Sequence, residues 1–238
     1  MVNRKFISIL TTLLLLLSCK KNNPESAVYT ELEAFSEIEL SNNFDVYLVE
    51  DSIYSIEIRG FEKSTSKVNY IVESGILKIE NTQKYKFTKP KTNKVTLYIH
   101  SKPLRKVTSN ETSYIRTVNP ITSNDFGLVF KSKANFAELD LAGGTFYYWN
   151  NYPCGGKLKL RGTTDELKIW NTAILSVDAK DLIAKYAIVE NSSKGLVEVN
   201  VANKFEYSIL GDGNIELHGS PPIQNEIAKT GKGNLIIH

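Results

Sequence analysis

Leu210-Gly211-Asp212-Gly213-Asn214-Ile215-Glu216-Leu217-His218-Gly219-Ser220-Pro221 is answered further on by Thr230-Gly231-Lys232-Gly233-Asn234-Leu235. The second stretch repeats the Gly-x-Gly-Asn-apolar pattern of the first at an interval of about twenty residues. Going back along the chain, turn residues recur at the same interval: Ser192, Asn171, Pro153, Ser132 and Asn110. A second series lies half a period away, at Pro221, Ala202, Lys180, Gly162, Gly143 and Pro120. Short apolar-alternating segments separate the two series, among them Lys157-Leu158-Lys159-Leu160, Leu167-Lys168-Ile169-Trp170 and Leu196-Val197-Glu198-Val199. Period-two alternation with β-branched and aromatic residues marks half-buried strands. Two short strands and two corners in twenty residues are what a coil of a β-solenoid needs, each coil advancing one strand spacing of about 4.8 Å. One coil cannot bury enough apolar surface to offset its own ordering, so the stack is the unit of stability. The competing reading is an antiparallel meander, because Gly211-Asp212-Gly213-Asn214 can also close a hairpin.

The first half alternates in the same way, in Ile38-Glu39-Leu40, Phe44-Asp45-Val46-Tyr47-Leu48, Ile56-Glu57-Ile58, Leu77-Lys78-Ile79 and Val95-Thr96-Leu97-Tyr98-Ile99. The expected fold is therefore all-β: a single-stranded, parallel β-helix-like solenoid with an N-terminal β-strand region.

The first residues carry an address. Met1-Val2-Asn3-Arg4-Lys5 leads into an apolar run from Phe6 to Leu17, then Ser18-Cys19. A basic start and about a dozen apolar residues read as a secretory signal, whereas a spanning helix needs about twenty. Leu16-Leu17-Ser18-Cys19 is similar to a bacterial lipobox, with Cys19 as the acceptor of diacylglycerol. The expected organisation is a signal peptide over 1–18, a lipidated tether over 19–34 and a solenoid domain over 35–238. A bridge from Cys19 to Cys154 is the alternative use of the two cysteines. With Cys19 lipidated, Cys154 is expected to be a small buried apolar residue.

Removal of Arg4 and Lys5 with the signal leaves 27 basic against 26 acidic residues, a net charge of about +1. Nucleic acid is not expected as a partner, since that requires a concentrated basic field. The local excess at Lys84, Lys86, Lys89, Lys91 and Lys94 reads as a solvated loop between strands, with contact to lipid phosphates as its alternative.

The order Phe35-Ser36-Glu37-Ile38, Phe44 to Leu48, Ile56-Glu57-Ile58, Gly75 to Ile79 and Pro103-Leu104-Arg105-Lys106-Val107, together with the glycine corners at the close, resembles the head GIN domain of putative auto-transporter adhesins. The resemblance spans about residues 35 to 238. It implies a right-handed β-helix-like fold, an envelope lipoprotein or secreted protein of the kind common in Bacteroidetes, and no enzymatic activity. Where the family repeats Gly-Ser-Gly, this chain has Asn110-Glu111-Thr112, Asn171-Thr172-Ala173 and Ser192-Ser193-Lys194.

Sites of chemistry are sparse. Gly211-x-Gly213 and Gly231-x-Gly233 are each followed by a strand, unlike a phosphate cradle, which is followed by a helix. They read as corners whose glycines supply positive φ. Asp212 is answered one coil later by Lys232, which removes a recurring calcium ligand set. His100, His218 and His238 show no metal-ligand spacing, and no metal or cofactor is expected. Asp140, Asp165, Asp178 and Asp181 are the acids that a carbohydrate-active β-helix enzyme, whether lyase or hydrolase, would converge on one face. Solvated placement is the expectation for them.

The densest aromatic stretch is Phe146-Tyr147-Tyr148-Trp149, with Tyr152 nearby. Phe146, Tyr148, Trp149 and Tyr152 are the candidate ligand-binding residues, with core packing as the competing reading. The function expected is a non-catalytic cell-envelope lipoprotein that presents a solenoid surface for adhesion or ligand binding. The alternatives are the β-helix enzyme and a purely structural envelope protein. The expected partners are the membrane, through the lipid on Cys19, and a glycan or an envelope protein. Lys20-Lys21-Asn22 lacks the acidic cluster of a Bacteroidetes surface-export signal, which favours the outer membrane facing the periplasm, with surface exposure as the alternative.

Overall fold

The computed structural model describes residues 24–83, 93–150 and 154–238. Cys19 with the signal segment, Tyr152, and Lys84, Lys86, Lys89 and Lys91 lie outside the described residues. The chain forms a β-solenoid of about six turns. Its strands are β1 (Glu25–Glu31), β2 (Glu37–Ser41), β3 (Asp45–Glu50), β4 (Ser55–Phe61), β5 (Val68–Glu73), β6 (Ile76–Asn81), β7 (Val95–Ser101), β8 (Lys106–Ser109), β9 (Tyr114–Thr117) and β10 (Asp125–Phe130). They continue as β11 (Ala134–Trp149), β12 (Gly155–Asn171), β13 (Ser176–Asn191), β14 (Val197–Ile209), β15 (Ile215–His218), β16 (Ile223–Lys229) and β17 (Leu235–Ile237). A single helical turn, α1 (Glu62–Thr65), links β4 to β5.

Two parallel ladders run the length of the stack. One passes from β6 and β2 through β8, β10 and the C-terminal halves of β11 to β14, ending on β16. The other passes from β7 and β3 through β9 and the N-terminal halves of β11 to β14, then β15 and β17. Register places like on like. Leu97, Val46, Ile115, Ala137, Leu158, Val177, Val197, Ile215 and Leu235 form one unbroken inward column on the second ladder. Ile215 thus pairs with Leu235, twenty residues on, and Gly211 to Asn214 form no hairpin. The solenoid is correct and the meander is excluded.

Among the described residues both corner series are present, but they differ in kind. At the first series the chain leaves the strand, as at residues 172–175 and 192–196. At Gly143 and Gly162 of the second, pairing continues round the bend: Arg161, Gly162, Thr163 and Thr164 pair with Asp181, Leu182, Ile183 and Ala184, whereas at Pro120 and Pro221 the chain leaves the strand. β11 to β14 are therefore 13 to 17 residues long and each serves both ladders.

The early coils do not follow chain order. β2 lies between β6 and β8, and β3 between β7 and β9, so the coil made by β6 and β7 stacks outside the one that precedes it in sequence. This end is finished by antiparallel strands, β5 on β6 and the pair β1 and β4 on β7. Residues 25–31, expected to be tether, form β1 instead. Its side chains are mostly exposed on both sides, so it is held by backbone pairing to β4, which leaves no alternation in the sequence to reveal it.

The glycine corners also have a different cause from the expected one. None of Gly211, Gly213, Gly231 and Gly233 has a positive φ. They are glycine because corners stack at one strand spacing: a Cβ on Gly213 would lie 2.2 Å from the Gly195 carbonyl oxygen. The left-handed conformation occurs instead where the family's glycine is absent, at Ala173 with φ +66°. A left-handed L-residue costs about 1–2 kcal/mol, partly offset by the lower unfolded-state entropy of alanine. Ala173→Gly is therefore expected to stabilise the protein by about 0.5–1 kcal/mol in urea melts. A loss of stability would show that the corner is not strained.

Candidate functional site

The aromatic stretch divides by pleat. Phe146 and Tyr148 point inward and are fully buried, so neither is available to a ligand. Tyr148 meets Phe130 edge-on at 5.7 Å, and burial pushes its phenol far above the ordinary range. Tyr147 and Trp149 point outward. Tyr147 lies over Gly127, where a Cβ would overlap its ring, and Trp149, 39% exposed, has Trp170 as its register partner on the next coil. Of the candidates among the described residues, Trp149 alone is placed where a partner reaches it. Tyr152 lies outside them. Cys154 is buried and free, as expected for a packing residue, and burial pushes its thiol up.

The four acids do not converge. Arg161 binds Asp140 at 2.6 and 3.1 Å and sits in register between Asp140 and Asp181. Asp178 is buried against Lys157 at 3.0 Å, and Asp165 pairs with Lys185 at 2.7 Å. Burial raises the Asp178 carboxyl, but the bond from Lys157 and the nearby lysines outweigh it and hold the acid below its ordinary value. Alternating acid and base along a column neutralises neighbouring coils. It does not supply the unpaired general acid and facing carboxylate that glycoside hydrolysis requires. An open cleft of about 420 Å³ between β2 and the β5–β6 hairpin contains Glu39, Tyr70, Lys78 and Glu80, and none of these four acids.

A second aromatic surface, not expected from the sequence, lies on the outer side of the second ladder. Tyr47 on β3 and Tyr98 on β7 stack with ring centroids 4.8 Å apart and planes 10° from parallel. Arg59 on β4 lies over the Tyr98 ring at 4.3 Å and is fixed by two 2.8 Å bonds to Glu57. On the other side Arg116 on β9 lies 5.3 Å from the Tyr47 ring and 3.4 Å from that of Tyr114. Tyr114 meets Phe136 on β11 edge-on at 5.9 Å, and Phe136 is 41% exposed. The Tyr114 hydroxyl donates to Glu138, which raises its pKa.

Five adjacent strands thus carry a continuous row, Arg59, Tyr98, Tyr47, Arg116, Tyr114 and Phe136, across about 19 Å of sheet. The Tyr47 and Tyr98 faces are occupied by one another and by guanidinium groups, and the Tyr47 and Tyr114 hydroxyls are bonded to Arg116 and Glu138, leaving ring edges and the Phe136 ring outward. Tyrosine and arginine are enriched at protein contacts; tyrosine supplies large area at low entropic cost, and here stacking on the rings has already restricted the arginine rotamers. The signal in the sequence is tyrosine at the outward positions of Asp45-Val46-Tyr47-Leu48 and Thr96-Leu97-Tyr98-Ile99. It cannot be assembled from the repeat, because these residues are 51 apart and the coils that carry them are stacked out of order.

Fold and surface together define a parallel β-solenoid that displays a flat tyrosine–arginine face beside a charge-balanced remainder. The chain belongs to the family described as putative auto-transporter adhesin, head GIN domain, whose profile matches residues 34–221. It is similar in fold to a putative adhesin from Bacteroides fragilis, with TM-score 0.79 and 16% identity over 91% of this chain and 98% of that one. A putative lipid binding protein from Parabacteroides distasonis gives TM-score 0.60 and 18% identity, covering 91% and 98%. A putative adhesin from Parabacteroides merdae gives 0.59 and 15%, covering 91% and 97%. No curated protein matches the chain. Among the described residues no helix is long and apolar enough to cross a membrane.

Proposed function

We propose that this chain is a non-catalytic cell-envelope lipoprotein, exported by residues 1–18, held by lipid on Cys19 at the outer membrane facing the periplasm, and adhesive through the flat row that includes Tyr47, Tyr98 and Arg116. The observation that carries this reading is the row itself, six large side chains on five strands, mutually stacked and outward. The pairing of Asp140, Asp165 and Asp178 with basic partners favours it over the carbohydrate-active enzyme. Because the tyrosine faces are already covered, the row fits a flat protein surface better than a sugar ring, which needs an open ring face.

The test is site-specific photo-crosslinking in intact cells from a benzoyl-phenylalanine at position 136, with position 225 on the exposed strand β16 as control. A discrete protein adduct from 136, lost with Arg116→Ala and absent from 225, is expected. No adduct, or the same adducts from both positions, would refute the assignment of this face. Binding to an array glycan that Phe136→Ala abolishes would replace protein by carbohydrate as the partner class.

A further inference from the structure

The last two coils bring together residues that look scattered in the sequence. His218 ends β15 and His238 follows β17, twenty residues later, which is one coil. Their rings stack with centroids 4.6 Å apart and planes 5° from parallel. Glu216, two residues before His218 and so on the same side of the strand, places its carboxylate 3.1 Å from Nε2 of His238. Glu198, one coil back, has an oxygen 3.8 Å from Nε2 of His218. One ligand atom from each of Glu216, His218 and His238 lies within 4.8 Å of the others. Nε2 of His218 is buried and has no hydrogen-bond partner.

We infer that Glu216, His218 and His238 form a site for a divalent transition metal such as zinc, with Glu198 in reach as a fourth ligand. Two imidazoles and one or two carboxylates are a donor set for zinc, with bonds of about 2.0–2.2 Å. Tetrahedral ligands at that distance are about 3.4 Å apart, so the side chains must close by about an ångström. Rotation of these side chains supplies it, since the backbones are already one strand spacing apart. The bond would span from β15 to the residue after β17. β17 is three residues long with Ile236 and Ile237 exposed, so the ion would fasten a strand that packing holds weakly. This site is on the outer side of the second ladder, far along the stack from Tyr47, and does not depend on the adhesive reading.

The experiment is titration of the purified full chain with zinc chloride by calorimetry, with thermal melts in parallel. One equivalent should bind, and melting should shift upward with zinc, because a ligand that binds only the folded state stabilises it. His218→Ala and His238→Ala should each weaken binding about a hundredfold or more, beyond the range seen for loss of an outer-shell partner. Glu216→Gln should weaken it too, and His100→Ala should leave it unchanged. None of these side chains belongs to the apolar core, and melting without zinc verifies folding. Absence of binding to the wild-type chain would overturn the inference, as would wild-type affinity in both histidine variants.

Discussion

Asn191→Ala is expected to destabilise the protein by about 3–5 kcal/mol, although the residue carries no charge and touches no candidate ligand surface. Asn191 ends β13 inside a corner, fully buried. Its amide nitrogen donates to the carbonyls of Gly195, Gly213 and Asn214 at 3.1, 3.1 and 3.3 Å, thereby joining its own corner to the next. Its amide oxygen accepts from two donors of the same turn, the Ser193 backbone N–H at 3.2 Å and the Ser193 hydroxyl at 2.6 Å. Alanine would strand these groups in a site that water does not reach, at about 1–3 kcal/mol for each unsatisfied group, with partial relaxation. Asn171, one coil earlier, repeats the arrangement with bonds to the Leu175 carbonyl and the Ser193 hydroxyl at 2.8 and 3.0 Å. Urea melts of Asn191→Ala beside Asn69→Ala, an exposed residue bonded through its side chain to Glu80, are the measurement. If both variants lose less than about 1 kcal/mol, buried corner asparagines do not hold the coils together.

These asparagines also show why the fold is legible in some stretches of sequence and opaque in others. The twenty-residue recurrence from Asn110 to Gly231 specifies the solenoid and its register, because in a parallel stack sequence period and spatial neighbour are the same thing: Trp149 faces Trp170, and Ile215 faces Leu235. The same identity holds for the histidines, whose twenty-residue spacing is one coil and brings them into contact, although that spacing matches no metal motif. It fails in the first hundred residues, where β6 and β7 stack outside β2 and β3, so Tyr47 and Tyr98 meet without any periodic sign of it. Phe146 and Tyr148 mislead for a simpler reason. They alternate with Tyr147 and Trp149, and the density of aromatics hides the pleat that sends half of them into the core. At the closing corners the sequence marks the place of the glycines but not the cause, and substitution separates the two.

Gly213→Asn should be as damaging as Gly213→Ala, with a loss of about 3 kcal/mol or more in each case, at the upper end of the range for overpacked sites. If the corner needed glycine for a left-handed φ, asparagine would be tolerated far better than alanine, since its side chain eases that conformation. Gly213 has no positive φ; the obstacle is the neighbouring coil. A Cβ there would sit 2.2 Å from the Gly195 oxygen and 2.9 Å from the carbonyl carbons of Gly195 and Lys194, all backbone and unable to swing aside. The following coil offers no escape, because the Gly213 oxygen is itself only 2.1 Å from where a Cβ on Gly233 would be. To admit any side chain the corners must part, which breaks the bond from the Gly213 amide to the Ser193 carbonyl at 2.9 Å and disturbs that from Gly233 to Gly211 at 3.1 Å. Gly75 is the counterpart, with φ +76° and nothing within 4 Å of where a Cβ would stand, so there alanine should cost about 1 kcal/mol and asparagine less. Melting the four variants side by side separates the two causes. Recovery by asparagine at 213 of most of the stability lost to alanine would restore backbone conformation as the reason for glycine, and with it the expectation drawn from the sequence.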